Sequence, residues 1–124
     1  MKYYIAKRQK DAASAAYEQA LQHYTELAGK ELPIESKLMA EEYAVRAMIE
    51  FGDWEKAIEK LTELPSRYPF YERFRGNYLY AASICEKELK DKNRAIEILK
   101  ECIKKYPGTS LADEAEKQIE RLGG

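Results

Sequence analysis

Trp54-Glu55-Lys56-Ala57-Ile58-Glu59-Lys60-Leu61, closed by Tyr68-Pro69, recurs without a gap as Lys92-Asn93-Arg94-Ala95-Ile96-Glu97-Ile98-Leu99, closed by Tyr106-Pro107. Ala57 stands 11 residues before Tyr68, and Ala95 stands 11 before Tyr106, so the two stretches share one register with a period of 38. A third copy keeps the same offsets upstream at Ala13, Tyr17, Ala20 and Tyr24, with Thr25 in place of the proline. The step from Ala13 to Ala57 is 44 residues, the excess falling in the loop Ala28-Gly29-Lys30-Glu31-Leu32-Pro33. A fixed period of this length marks a chain built from stacked, self-similar units.

Each copy reads as a helix. Ala57, Ile58, Leu61 and Leu64 fall at helical spacing, as do Ala95, Ile96, Leu99, Cys102 and Ile103. Residues 36–51 put Ala40, Ala44, Ala47, Met48 and Phe51 on one stripe, stopped by Gly52-Asp53. Residues 71–89 put Phe74, Tyr78, Ala81, Ala82, Cys85 and Leu89 on another, stopped near Lys90-Asp91. A last helix opens at Thr109 or Ser110, with Asp113 completing a capping box from Ser110. A separate first segment is expected over residues 2–9, ahead of the first copy. Pro65 lies inside a helical pattern and removes the bond to the Leu61 carbonyl, so that helix is expected to kink or end near Leu64. Small residues at Ala13, Ala57 and Ala95 let helices approach closely, and Tyr17, Leu61 and Leu99 fill the space one turn later. No run alternates with period two, so the reading is all-α, in antiparallel helix pairs.

Composition excludes several classes. Of 124 residues, 21 are Lys or Arg and 22 Asp or Glu, a net charge of −1. Nucleic acids and anionic membranes select a basic excess, so neither is expected as the partner. The longest apolar run, Tyr78 to Cys85, falls far short of the roughly 20 residues a membrane helix needs, and no direct membrane insertion is expected. The opening residues Met1 to Arg8 lack the apolar core of a signal peptide. Cys85 and Cys102 are too few and too far apart for a disulfide framework or a Cys-x-x-Cys site, and read as buried thiols in a reducing compartment. A single histidine, His23, rules out paired-histidine metal motifs, and with Glu26 it reads as a solvated surface pair. The glycines are too dispersed for a phosphate-cradling loop. Glu41, Glu42, Glu55 and Glu59 alternate with basic residues and read as a solvated face, Glu42 pairing with Arg46. No catalytic residue, cofactor or metal is expected.

Gly52-Asp53-Trp54-Glu55-Lys56-Ala57-Ile58 followed by Tyr68-Pro69 resembles the tetratricopeptide repeat (TPR), whose period is about 34 residues. The 12-residue spacing from Ala57 to Pro69, and from Ala95 to Pro107, is that family's. The longer period, the recurring Tyr-Pro and the tail Tyr106 to Ala115 are similar to one branch, the bacterial outer-membrane assembly lipoproteins and the Tol-Pal coordinator proteins. Tyr3 to Arg8 resembles the end of a first helix in that branch. Val45 and Ser83 stand where the family favours a small Gly or Ala in the first helix of a pair.

The resemblance implies a right-handed superhelical stack of antiparallel helix pairs, an α-solenoid forming one domain over residues 1–124. Its repeats would occupy residues 1–33, 34–69 and 70–107, with a polar capping helix at 109–122. It implies a non-catalytic scaffold binding a peptide or partner-protein segment on the concave face. In this family the first helix of each pair lines that face. Repeat register then carries the contact role to Met39, Glu42, Arg46 and Ile49 in one pair, and to Asn77, Tyr80, Ile84 and Lys87 in the next. Tyr80 and Ile84 are expected to be exposed one turn apart. Independently, the cluster Phe70, Tyr71, Phe74, Tyr78 and Tyr80 offers Tyr71 and Tyr80 as an aromatic patch, with Phe74 and Tyr78 in the core.

The branch implies a cell-envelope setting, periplasmic or outer-membrane-associated; outside the branch the setting would be cytoplasmic. Two alternatives stay open. One is a structural or oligomerisation fragment of a larger repeat protein, self-associating through an uncapped N-terminal end. The other is a metal- or small-ligand-dependent enzyme subunit.

Overall fold

The structure, a computed structural model, describes residues 2–124, with side chains from Ala12 onward. Six α-helices follow in chain order: α1 (Lys2–Gly29), α2 (Ile34–Phe51), α3 (Trp54–Arg67), α4 (Asn77–Lys87), α5 (Lys92–Lys105) and α6 (Ser110–Arg121). A 3-10 turn at Glu72–Phe74 precedes α4, and the described residues contain no strand. The all-α expectation holds, with helices packed on their chain neighbours within each of two units. The chain divides into two compact units, Met1–Asp53 and Trp54–Gly124. Among the described residues no helix is long and apolar enough to cross a membrane.

In the first unit α1 packs on α2. α1 is one helix of 28 residues, where a separate segment over 2–9 was expected. The reason is local: no glycine or proline interrupts the stretch before Gly29. The expected uncapped end depends on the side chains of residues 1–11, which lie outside the described residues. Ala13 is exposed, so it does not serve the close approach expected of it. Tyr17 is buried as expected and has more to do than fill space. Its hydroxyl donates to Asp53 Oδ2 at 2.9 Å, and its ring stacks on Phe51 with centroids 4.3 Å apart. Gly52, at φ 84°, makes this contact possible by ending α2 in a left-handed turn. The Gly52 N–H donates to the Ile49 carbonyl and the Asp53 N–H to the Met48 carbonyl, which fixes Asp53 just past the helix end. Burial, and then the hydrogen bond to Asp53, push the Tyr17 phenol above the ordinary value of 10.0. On α2, Leu38 and Val45 are buried along with the expected Ala40, Ala44 and Met48, while Glu41, expected on a solvated face, is 3% exposed and Phe51, expected on the apolar stripe, is 43% exposed.

In the second unit α4 packs on both α3 and α5, and α5 packs on α6. Ala57 and Ala95 have no exposed surface, and Leu61, Leu64 and Leu99 are buried beside them. Side-chain pins join repeat-related helices. Arg94 near the start of α5 donates to Glu55 near the start of α3 at 2.8 Å. Lys105 Nζ at the end of α5 donates to Ser66 Oγ near the end of α3 at 2.7 Å. Starts meet starts and ends meet ends, so α3 and α5 run parallel, as a translational repeat requires.

Three helix boundaries differ from expectation. α3 continues through Pro65 to Arg67, so of the two outcomes expected of the proline, a kink or an end near Leu64, the end does not occur. The proline costs a single backbone bond in the last turn, and its ring is fully buried. The expected helix over 71–89 is shorter, because Gly76 weakens its first turns and leaves only the 3-10 turn before Asn77. Phe74 keeps its buried place even so. Finally, Thr109 alone caps α6, its Oγ1 accepting from the Ala112 N–H at 3.2 Å. The residue three beyond Thr109 is Ala112, so no capping box forms from Ser110.

Two consequences can be measured. Leu99→Ala, at a site with 1% exposure, should lower the unfolding free energy by about 2–5 kcal/mol in urea titrations, while exposed Lys100→Ala should change it by under about 0.5 kcal/mol. Burial pushes the Cys85 and Cys102 thiols above their ordinary 9.0. Folding thus favours the protonated thiols, so this contribution to stability is intact below about pH 9 and is lost as pH climbs above it. Ellman's reagent at pH 8 should label neither thiol in the native protein faster than the protein unfolds.

Candidate functional site

α4 and α6 run side by side across α5 and enclose a groove of about 180 Å³ floored by Ala82 and Leu99. Leu79, Ser83, Glu86 and Lys87 line one wall, and Glu114, Gln118, Arg121 and Leu122 the other. Helical spacing places each set on a single face of its helix. The walls are linked by a continuous polar network. Gln118 Nε2 donates to Glu114 at 2.9 Å, Arg121 Nε donates to the Gln118 side-chain oxygen at 2.8 Å, and the Arg121 guanidinium grips both oxygens of Glu86 at 2.9 and 2.6 Å. The Arg121 hydrogen bonds hold the Glu86 carboxyl below the usual carboxylate range and raise the guanidinium in return. The groove is smaller than the roughly 300 Å³ at which small-molecule pockets begin. An apolar floor with amide and guanidinium groups on its rim suits one or two side chains of a peptide, with the rim answering the peptide backbone.

The expected contact residues fare unevenly. On α4, Tyr80 is 50% exposed and Lys87 is exposed and reaches the groove, while Asn77 is half-buried. Ile84 corrects the expectation: it is 5% exposed and belongs to the core. α4 has a helix on each side, so a single exposed stripe cannot include every residue off the Tyr78–Cys85 face. In the first unit Met39 is 46% exposed, Arg46 is exposed, and Glu42 and Ile49 are half-buried. Arg46 stacks its guanidinium 5.5 Å over the Tyr43 ring, so Met39, Tyr43 and Arg46 form one exposed strip on α2. Tyr71 is half-buried with its ring edge-on to Tyr68 at 6.3 Å, which leaves Tyr80 as the exposed member of the expected aromatic patch.

Gln118 and Arg121 were missed as site residues because α6 reads from sequence as a polar cap. The period carries the missing signal: 38 residues on from Tyr80 and Ser83 lie Gln118 and Arg121. α6 is thus the register equivalent of α4. His23 is exposed with its ring tilted 5.7 Å from Tyr24, and Glu26 accepts from Gln22. Among the described residues no three His, Cys, Asp or Glu side chains converge to hold a metal ion.

Comparison with known families adds an independent finding. The model of the family described as tetratricopeptide repeat matches residues 42–71 and 77–109, together just over half of the chain. No match was found among curated proteins.

The Glu86–Arg121 pair yields a titration. Arg121→Ala should return the Glu86 carboxyl upward toward its ordinary 4.5, read from side-chain carbon shifts across a pH series. The pairing is complete at neutral pH and is lost as pH falls below about 4.5. A Glu86 titration unmoved by the substitution would contradict the network.

Proposed function

The chain belongs to the tetratricopeptide repeat family, and on that footing we propose that it is a scaffold that takes a partner-protein or peptide segment into the α4–α6 groove. Such repeats are non-catalytic interaction modules that bind protein partners. The observation that carries the proposal is the groove itself: two register-equivalent helices presenting an apolar floor and a polar rim to solvent. Lys87, Gln118 and Arg121 of the groove lining are the proposed contact residues, with Tyr80, exposed on α4 next in sequence to the lining residue Leu79 but outside the lining itself, as the proposed aromatic anchor at its edge. Met39, Glu42, Arg46 and Ile49 form a second proposed contact strip, on α2. We take residues 1–124 as the working interaction domain. The similarity of Tyr106 to Ala115 to the envelope-assembly branch supports a bacterial cell-envelope setting.

Peptides selected against the full chain from a random displayed library supply the test. Tyr80→Ala and Gln118→Ala should each weaken a selected peptide about tenfold, by roughly 1.4 kcal/mol, without changing the helical circular dichroism. Peptides indifferent to both changes would end the groove assignment. Photo-crosslinking from position 118 in the source cells addresses the setting separately: envelope proteins as adducts would support it, and cytosolic adducts alone would remove it.

A further inference from the structure

The loop after α3 carries the most exposed large apolar side chain among the described residues, Phe70 at 91%, beside exposed Pro69. It stands four residues from Ser66, so at full extension its Cα lies within about 14 Å of that residue. Ser66 forms part of a second groove, about 340 Å³, with Tyr78 of α4 and Glu101, Lys104 and Lys105 of α5. This groove shares no lining residue with the one between α4 and α6.

Its cations differ from four of the five arginines of this unit. Arg67 pairs with Glu63, Arg75 lies 4.0 Å from Glu72, Arg94 binds Glu55 and Arg121 binds Glu86. Lys104 and Lys105 have no carboxylate partner within ion-pair reach among the described residues. Lys105 is nevertheless held in place by neutral groups: Ser66 Oγ at 2.7 Å and the face of the Tyr78 ring at 5.9 Å. Tyr78 meets Tyr106 edge-on at 6.1 Å, and the Arg75 guanidinium covers Tyr106 at 5.7 Å. A positioned ammonium over aromatic rings binds an incoming carboxylate with little further loss of side-chain freedom. Three cations stand against the two carboxylates of Glu101 and Glu72.

We infer that this groove and the Phe70 tip form a docking site for an acidic segment of a partner protein that also carries an apolar residue. A carboxylate of the segment meets Lys104 and Lys105, whose compact charges accept it in any orientation. The apolar residue packs on Phe70 and Pro69, where it removes from water a ring that is otherwise almost fully hydrated. The shape of the groove and the exposed carboxylate of Glu101 in its lining favour a discrete segment over a flat anionic lipid surface, which Glu101 would repel.

The test titrates the full chain, amide-labelled for NMR, with acetyl-Asp-Glu-Phe-Asp-Glu amide at low salt, alongside the uncharged acetyl-Asn-Gln-Phe-Asn-Gln amide. The acidic peptide should shift the amides of Ser66, Phe70, Lys104 and Lys105. Combined Lys104→Glu and Lys105→Glu should weaken it at least tenfold, and Phe70→Ser about fivefold. All three positions are exposed, so the helical circular dichroism should be retained. Equal binding of the uncharged peptide, or shifts that inorganic phosphate alone reproduces, would overturn the inference. So would binding only to phosphatidylglycerol vesicles, which would assign the site to a lipid surface. Shifts confined to Ser83, Gln118 and Arg121 would also overturn it, while leaving the α4–α6 groove reading intact.

Discussion

The zero exposure of Ala57 and Ala95 is the constraint on which the second unit depends. A methyl side chain at these points lets α3 and α5 press close to α4, and a larger one would push the helices apart and open voids along the whole interface. Because the two alanines are one period apart, the same approach is made twice, and α4 is held between two equivalent helices. The pins from Arg94 to Glu55 and from Lys105 to Ser66 then fix the parallel course of α3 and α5 at both ends. These pins lie at the surface and add little stability of their own. Their value is in alignment: they set the register that the buried alanines make close.

That arrangement explains which parts of the fold could be read from residues and which could not. Ala57, Leu61, Ala95 and Leu99 declare themselves because α3 and α5 are amphipathic, with one apolar stripe each. α4 is flanked on both sides and must bury more than one stripe, so a single-face reading sends Ile84 to the surface when it belongs inside. Pro65 and Gly76 mislead in opposite directions. The proline sits where only one backbone bond is at stake and a buried ring compensates, so α3 runs on. The glycine, unremarked in the periodicity, is enough to reduce the first turns of a helix to a 3-10 turn.

The site was half legible for a related reason. Tyr80 and Lys87 lie on the outward side of α4, where polarity and exposure agree. Gln118 and Arg121 look like ordinary surface polarity on α6, and only the period reveals that they occupy the places of Tyr80 and Ser83. Tyr17 shows the same lesson in the first unit. It holds the register position of Leu61 and Leu99, but a phenol in that position needs a partner for its hydroxyl. Asp53, set just beyond the left-handed turn at Gly52, provides it. The departure from leucine and the Gly52-Asp53 turn are two halves of one arrangement, visible only when the chain is folded.

The two grooves of the second unit divide recognition by how their charges are spent. In the α4–α6 groove Glu86 and Arg121 neutralise each other, and Gln118 joins the same network, so a partner must be recognised by shape, apolar fit and amide hydrogen bonds. Such binding changes little with ionic strength. In the second groove the Lys105 charge is positioned by a hydroxyl and an aromatic face and, with that of Lys104 beside it, faces an incoming anion. Attraction there acts over about a Debye length, 10 Å at 0.1 M salt, and weakens as salt rises. A partner that engages both grooves would be drawn in by the second and held by the first, its association rate sensitive to salt and its dissociation rate largely indifferent to it. Because the period places chemically different residues at equivalent positions, one helical repeat can carry both modes without any change of fold.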